Sequence, residues 1–266
     1  MMRSIFYILT AGIFVFLNVH LLYSQELTAR EIMQKNDQQR KAADERVELV
    51  MKLINKKGKE RSRKVTQVTK TDASDNEKYL IRFLAPADVK GTGLLTIEHS
   101  GQDDDQWLYL PALRKVRRIS ASDQSDSFMG TDFAYEDLGN EELEEYEYTL
   151  VKTEDVDGFE CYLIEATPNN DKKKKSSGYS KREIWIRKDN FVGIQTKYYD
   201  KKGELLKIFQ ASDVRLLEGT GNWRTHRMEM ENLKSGHKTV LLFDNFVINH
   251  GLHDKLFTQR YLKRGK

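Results

Sequence analysis

Residues 146–199 read YEYTLVKTEDVDGFECYLIEATPNNDKKKKSSGYSKREIWIRKDNFVGIQTKYY. Four runs rich in aromatic and β-branched residues stand out: Tyr146 to Glu154, Phe159 to Thr167, Arg182 to Arg187 and Val192 to Tyr199. They are parted by Asp157-Gly158, a Lys172 to Gly178 loop and Asp189-Asn190. An Asp-Gly pair between two such runs is a strong hairpin signal. Strands joined by such brief turns pair antiparallel, because a parallel neighbour needs a long crossover. No strand–helix–strand spacing occurs, so the stretch predicts an antiparallel meander.

The same habit extends outward. Leu205 to Leu216, Trp223 to Leu233 and Thr239 to Ile248 continue the series, broken by Gly219-Thr220-Gly221 and Lys234-Ser235-Gly236. On the other side, Val47, Leu49, Met51 and Leu53 alternate with mostly polar residues before the Asn55 to Gly58 turn. Arg61 to Lys70 forms a polar strand around Val65 and Val68; Tyr79, Ile81 and Phe83 alternate up to Pro86, and Leu94, Leu95 and Ile97 follow Gly91 and Gly93. Trp107 to Leu110 and Arg114 to Ile119 are split by Pro111, which is expected to interrupt pairing. Helical signals are few. Thr28 with Glu31 makes a capping box for a helix over Thr28 to Gln39. A turn around Phe133 to Leu138 and a short tail near Asp254 to Phe257 complete them. The fold class is mainly β: one large, curved antiparallel sheet with few helices.

Three strands are apolar on both faces: Tyr79 to Leu84, Cys161 to Ile164 and Val240 to Val247. A sheet with one wet face alternates cleanly. Something therefore covers each face, either packed chain or a bound apolar molecule, and a sheet filled incompletely would leave an apolar cavity. Ordinary core packing accounts for such strands as well.

The chain starts Met1-Met2-Arg3, continues apolar from Ile5 to Tyr23 and turns polar at Ser24-Gln25-Glu26. This order predicts a secretory signal peptide over residues 1–24 and a single exported domain over 25–266; an uncleaved anchor is the other reading of the apolar run. No cysteine lies near residue 24, which excludes an N-terminal lipobox. Lys and Arg number 44 against 41 Asp and Glu, a balance of +3 that argues against a dedicated nucleic-acid binder. Cys161 is the single cysteine, so neither an internal disulfide nor a multi-cysteine zinc site exists.

Catalytic patterns are missing. His226, His237, His250 and His253 come late, but no glutamate completes an H-E-x-x-H pair, and scattered surface histidines explain them better. Asp103-Asp104-Asp105 lacks the spacing and glycine of a calcium loop. Cys161 sits in an apolar strand as a small hydrophobe. Neither a G-x-S-x-G elbow nor a phosphate loop is present. The expectation is no enzyme, no metal and no cofactor. Lys172 to Lys175 is a flexible hairpin loop or, alternatively, a contact for anionic lipid surfaces.

Residues 103–138 read DDDQWLYLPALRKVRRISASDQSDSFMGTDFAYEDL. Arg114, Lys115, Arg117 and Arg118 surround Val116, and Phe128-Met129-Gly130 lies in a polar loop with the character of a mobile flap over an apolar site. Asp132, Glu136 and Asp137 either pair with these arginines or leave them free for anionic head groups. Together with Arg82 to Gly93, Tyr198-Tyr199-Asp200 to Gly203, Trp223, Arg227 to Asn232, Thr239 and Leu256-Phe257-Thr258, this segment resembles the periplasmic outer-membrane lipoprotein-sorting proteins, LolA/LolB-like, in the branch found with RND/MMPL-type exporters.

The resemblance implies an unclosed β-barrel of about eleven strands, with helices plugging its concave side and a hollow that carries acyl chains of lipoproteins or lipids. It brings no catalytic residues. On this reading Trp107, Tyr109, Leu110, Phe128, Met129 and Phe133 line or gate the hollow, and Arg117 and Arg118 lie near the head group. The protein would act as a monomer in the periplasm, in lipoprotein sorting and outer-membrane biogenesis, with an RND/MMPL-type inner-membrane transporter as partner and no nucleic acid. The competing reading is an accessory subunit of an envelope export or sensing complex, its hollow filled by its own side chains.

Overall fold

The computed structural model describes residues 26–139 and 142–265; the leader expected over residues 1–24 lies outside them. Helix α1 (Ala29–Arg40) starts as its capping box dictates. Thr28 Oγ1 accepts the Glu31 amide at 3.2 Å, and Glu31 Oε2 accepts the Thr28 amide at 2.8 Å. Six strands follow: β1 (Asp44–Ile54), β2 (Glu60–Thr71), β3 (Glu77–Ala85), β4 (Gly93–Ile97), β5 (Asp105–Leu110) and β6 (Lys115–Arg118). After a long connection come β7 (Tyr146–Val156), β8 (Phe159–Pro168), α2 (Asp171–Ser176), β9 (Tyr179–Arg187), β10 (Gly193–Asp200), β11 (Leu205–Leu216), β12 (Trp223–Asn232), β13 (His237–Ile248) and α3 (Gln259–Arg264).

All strands form one antiparallel sheet in the order β6-β5-β4-β3-β2-β1-β13-β12-β11-β10-β9-β8-β7. Each neighbour is also a neighbour in sequence, with one exception: β1 pairs with β13 along Glu45 to Ile54, joining two meanders in the middle. The sheet has thirteen strands where the resemblance implies about eleven, and it stays open between β6 and β7. Register shifts at Arg46/Glu48, Lys64/Val65 and Leu150/Lys152 supply bulges, which bend strands and raise their twist.

Two local expectations are corrected and a third is extended. Pro111 splits β5 from β6 as expected but does not interrupt their pairing. It opens a single helical turn, Pro111–Leu113, where no ladder amide is needed, and Trp107 pairs with Arg118 across the hairpin. The lysine loop is helical: Asn170 Oδ1 accepts the Lys173 amide at 2.8 Å and starts α2. The C-terminal tail holds a second short helix beyond Asp254–Leu256, α3, capped by Thr258 Oγ1 at 3.1 Å from the Tyr261 amide and stopped by Gly265 at φ 68°.

Two of the three doubly apolar strands are covered on both sides, whereas in Val240 to Val247 the last valine is 41% exposed. In β3, Ile81 and Phe83 enter the main core with Leu49, Met51, Leu94 and Met230. Their neighbour Leu80 faces the other way, beneath Phe257 and Leu262 of the C-terminal segment, with Leu95 and Val68. In β8, Ile164 and Ala166 meet Ile32 and Met33 of α1, while Cys161 and Leu163 meet Trp185, Val192 and Ile194 on the opposite face.

The connection from β6 to β7 joins opposite edges of the sheet, so it must cross one face. The first of its two described parts, residues 119–139, is a strap along the inner side. Phe128 and Phe133 pack among side chains of β1 to β5, β12 and β13, while Gly178 and Tyr179 at the start of β9 bond to Glu136 and Asp137. Strands from both halves of the sheet thus meet one segment, which makes this face concave.

Candidate functional site

Two cavities flank the strap. The first, about 270 Å³, lies among α1, β1, β2, β3, β12 and β13; the second, about 280 Å³, lies among α1, β9, β10 and β11. Arg40, Asp137 and Gly139 belong to both walls. The Arg40 side chain is 43% exposed, so the shared end reaches solvent.

The first cavity has a polarity gradient built by strand register. Side chains two apart share a face. Along β3 the inward series is Glu77, Tyr79, Ile81, Phe83; along β1 it is Glu45, Val47, Leu49; along β12 Arg224 stands in phase with Met228 and Met230. Each strand brings a charge at the end near α1 and apolar side chains further in. Leu241, Phe243, Phe246 and Phe133 complete the apolar wall.

The charged end is tightly bonded. Arg224 Nε donates to Glu45 Oε2 at 2.5 Å, and the two side chains are 8% and 15% exposed. Burial pushes the Glu45 carboxyl up, and Arg224 opposes that shift. The Tyr79 hydroxyl donates to Glu98 Oε1 at 3.0 Å and also reaches the Glu77 carboxylate. Glu98 Oε2 accepts the Glu77 amide at 2.8 Å. Burial first, and then these carboxylates, push the Tyr79 phenol well above its ordinary range.

The strap, expected as a flap, is held by several buried contacts. Lys207 Nζ lies 2.6 Å from Asp137 Oδ2, both side chains 4% exposed, and donates to the Asp132 carbonyl at 3.1 Å. The Lys207 ammonium also sits 4.9 Å from the ring centres of Tyr179 and Tyr198. Asp132 takes the Thr239 hydroxyl at 2.7 Å, and its Oδ2 lies 2.6 Å from His237 Nδ1. Glu136 accepts the Gly178 amide at 2.7 Å, and burial, then Asp137, push its carboxyl up. The expected pairing of Asp132, Glu136 and Asp137 with the arginines of β6 is therefore replaced: these acids turn inward to the far half of the sheet. His237 likewise belongs to this network instead of the open surface.

The expected lining residues divide three ways. Phe133 borders the first cavity. Phe128, 1% exposed, is locked into the core 5.8 Å from the Phe83 ring and 5.6 Å from Tyr135; Leu110 and Met129 pack on that core half-buried. Trp107 and Tyr109 point to the opposite face, with Leu262 and Phe257, because strand alternation places them out of phase with Leu108 and Leu110. Arg117 and Arg118 are 61% and 64% exposed, paired with Asp123 at 2.7 Å and Asp105 at 2.6 Å, and border neither cavity.

Arg40, Glu45, Glu77 and Arg224 escaped the reading of the sequence. For Glu45, Glu77 and Arg224 the signal was present as charges occupying the core-facing phase of otherwise amphipathic strands, whereas Arg40 is the last residue of α1. Cys161 is fully buried, and burial pushes its thiol up to about 11, so it carries no reactive thiolate. Two of the four lysines of α2 are engaged: Lys173 Nζ lies 2.8 Å from Glu145 Oε2, and Lys172 pairs with Asp103. Among the described residues no helix is long and apolar enough to cross a membrane.

A family model described as an uncharacterized protein matches residues 75–264. A comparison with curated proteins finds no match. Among solved structures, an outer membrane lipoprotein-sorting protein domain from Vibrio parahaemolyticus is 34% identical with a TM-score of 0.83, covering 89% of this chain and 98% of its own. A DUF1329 family protein from Desulfovibrio piger is 36% identical with a TM-score of 0.82, covering 88% and 97%. A LolA superfamily protein from Nitrosomonas europaea shares the fold at 24% identity and a TM-score of 0.70, over 89% and 100%. The chain belongs to the DUF1329 family of proteins similar to outer-membrane lipoprotein-sorting domains, and its open thirteen-stranded sheet has a LolA-like fold.

Proposed function

We propose that this protein is a non-enzymatic periplasmic carrier that shelters acyl chains of lipoproteins or lipids on its concave face and hands them on toward the outer membrane. The observation that carries the reading is the first cavity: an apolar floor of Ile81, Phe133, Leu241 and Phe243 beneath a charged end of Glu45, Glu77 and Arg224. An amphiphile matches both parts, since each methylene taken from water contributes about 0.8 kcal/mol while the polar end keeps hydrogen-bonding partners. The lipoprotein-sorting description of a 34% identical relative supports it. The leader expected over residues 1–24 supplies the export route, and an RND/MMPL-type transporter is the proposed donor or acceptor. Tight chain burial requires such a partner, or movement of the strap, for release.

A second reading has one observation in its favour. The strap fills the centre of the concave face, and each cavity falls just below the range of about 300–1,000 Å³ usual for ligand sites. An accessory subunit with a self-filled interior fits that volume. Native mass spectrometry of the exported protein separates the two. A carrier retains bound acyl species after gentle purification or after incubation with membranes, and Met228→Trp, which fills the floor, reduces the occupancy. Repeated recovery of empty protein from both treatments overturns the carrier reading.

A further inference from the structure

Arg224 is 7% exposed, yet its guanidinium is only partly used. Nε donates to Glu45, Nη1 donates to the Trp223 carbonyl at 2.8 Å, and Nη2 is buried with no hydrogen-bond partner among the described residues. Arg224 belongs to the wall of the first cavity. A buried donor left unmade is costly, more so on a charged group, so such atoms in native folds mark a place where something else bonds.

The surrounding charges define what that something is. Arg224 is already balanced by Glu45 at 2.5 Å, and Asp137 is balanced by Lys207 at 2.6 Å. Arg40, at the shared end, is paired with Asp37 at 2.9 Å. Each of these cations is thus already matched by a carboxylate. A second anion beside Arg224 would bring unmatched charge into a buried site, whereas an uncharged carbonyl oxygen accepts a hydrogen bond from Nη2 without adding charge. Met228 lies four residues along β12, about 13 Å at the usual rise of a strand, so a chain anchored at Arg224 runs onto the apolar floor.

Building on the carrier reading, we infer that Arg224 Nη2 holds the carbonyl of an acyl ester or amide, so that the cavity selects esterified or amidated chains over free fatty-acid anions. The test displaces a fluorescent acyl probe from the intact protein at about pH 8, where palmitate is ionised, using monopalmitoylglycerol, palmitamide and palmitate. The wild type is expected to bind both uncharged ligands about tenfold more tightly than palmitate. Preference for the glyceride over the amide points to glycerolipid cargo, and the reverse points to amide-linked chains; both support the assignment. Arg224→Met alone strands Glu45, so the double variant Glu45→Leu with Arg224→Met removes the pair together, a change that folded proteins tolerate. It is expected to bind all three ligands within about twofold of one another. Palmitate binding as tightly as the uncharged pair, or a preference unchanged in the double variant, overturns the assignment while leaving the carrier reading intact. Failure of every probe to bind overturns both.

Discussion

Leu80 and Ile81 are neighbours in β3 and meet different surroundings. Leu80 is sealed under Leu262 and Phe257, contributed by the last residues of the chain. Ile81 borders the first cavity, on the face crossed by the strap. Both are 8% exposed or less. The convex side of this half of the sheet is closed by a helix that fits it; the concave side is closed by an edge-to-edge segment that leaves room on either flank. The lesson is that burial alone does not separate core from site. What separates them is whether the covering segment matches the curvature of the sheet it covers.

Three experiments press on that difference. Phe128→Ala removes the strap's anchor against Phe83 and Tyr135 and should cost about 4 kcal/mol, read as a lowered denaturant midpoint; it should also change acyl occupancy, because the strap divides the two cavities. Leu262→Ala, on the convex side, should cost about 3 kcal/mol while leaving acyl binding unaltered. Equal loss of binding in both variants would merge the two faces into one cooperative core.

The smallest effect concerns Asp104, near the strap at Gly139. Burial, then Glu98 and Glu142, push its carboxyl up from 3.8 to about 7. The folded protein then holds a proton that the unfolded chain releases. The associated stability is complete below the unfolded value of 3.8 and is lost as the pH rises through about 7. Asp104→Asn should therefore flatten this fall and gain ~1–2 kcal/mol at about pH 8 after allowance for solvent screening. Chemical denaturation across the pH range checks it; an unchanged slope would place Asp104 in open water.

Local structure was legible where neighbours in sequence decide it. The alternation of Val47, Leu49, Met51 and Leu53, the Asp157-Gly158 turn and the Thr28/Glu31 box each need only a few adjacent residues, and each leads to its element. The helices α2 and α3 were missed because six residues are too few to display a helical period, so a single cap, Asn170 or Thr258, is the whole signal. The family resemblance was legible in the Trp107 to Phe133 series, but which of those residues border a cavity was not, and of the six expected Phe133 borders one of the two cavities. Trp107 and Tyr109 differ from Leu110 only in phase, and phase acquires meaning once a side of the sheet is known to be concave.

Taken alone, the sequence determined the strands, their antiparallel neighbours and the mainly β architecture, because a period of two and short turns are local properties. The tertiary structure decided the rest. Pairing of β1 with β13 brings Glu45 and Arg224 within bonding distance although 179 residues separate them. The connection from β6 to β7 must cross a face of the sheet, and only the curvature of thirteen paired strands settles which face it crosses and how much space it leaves there.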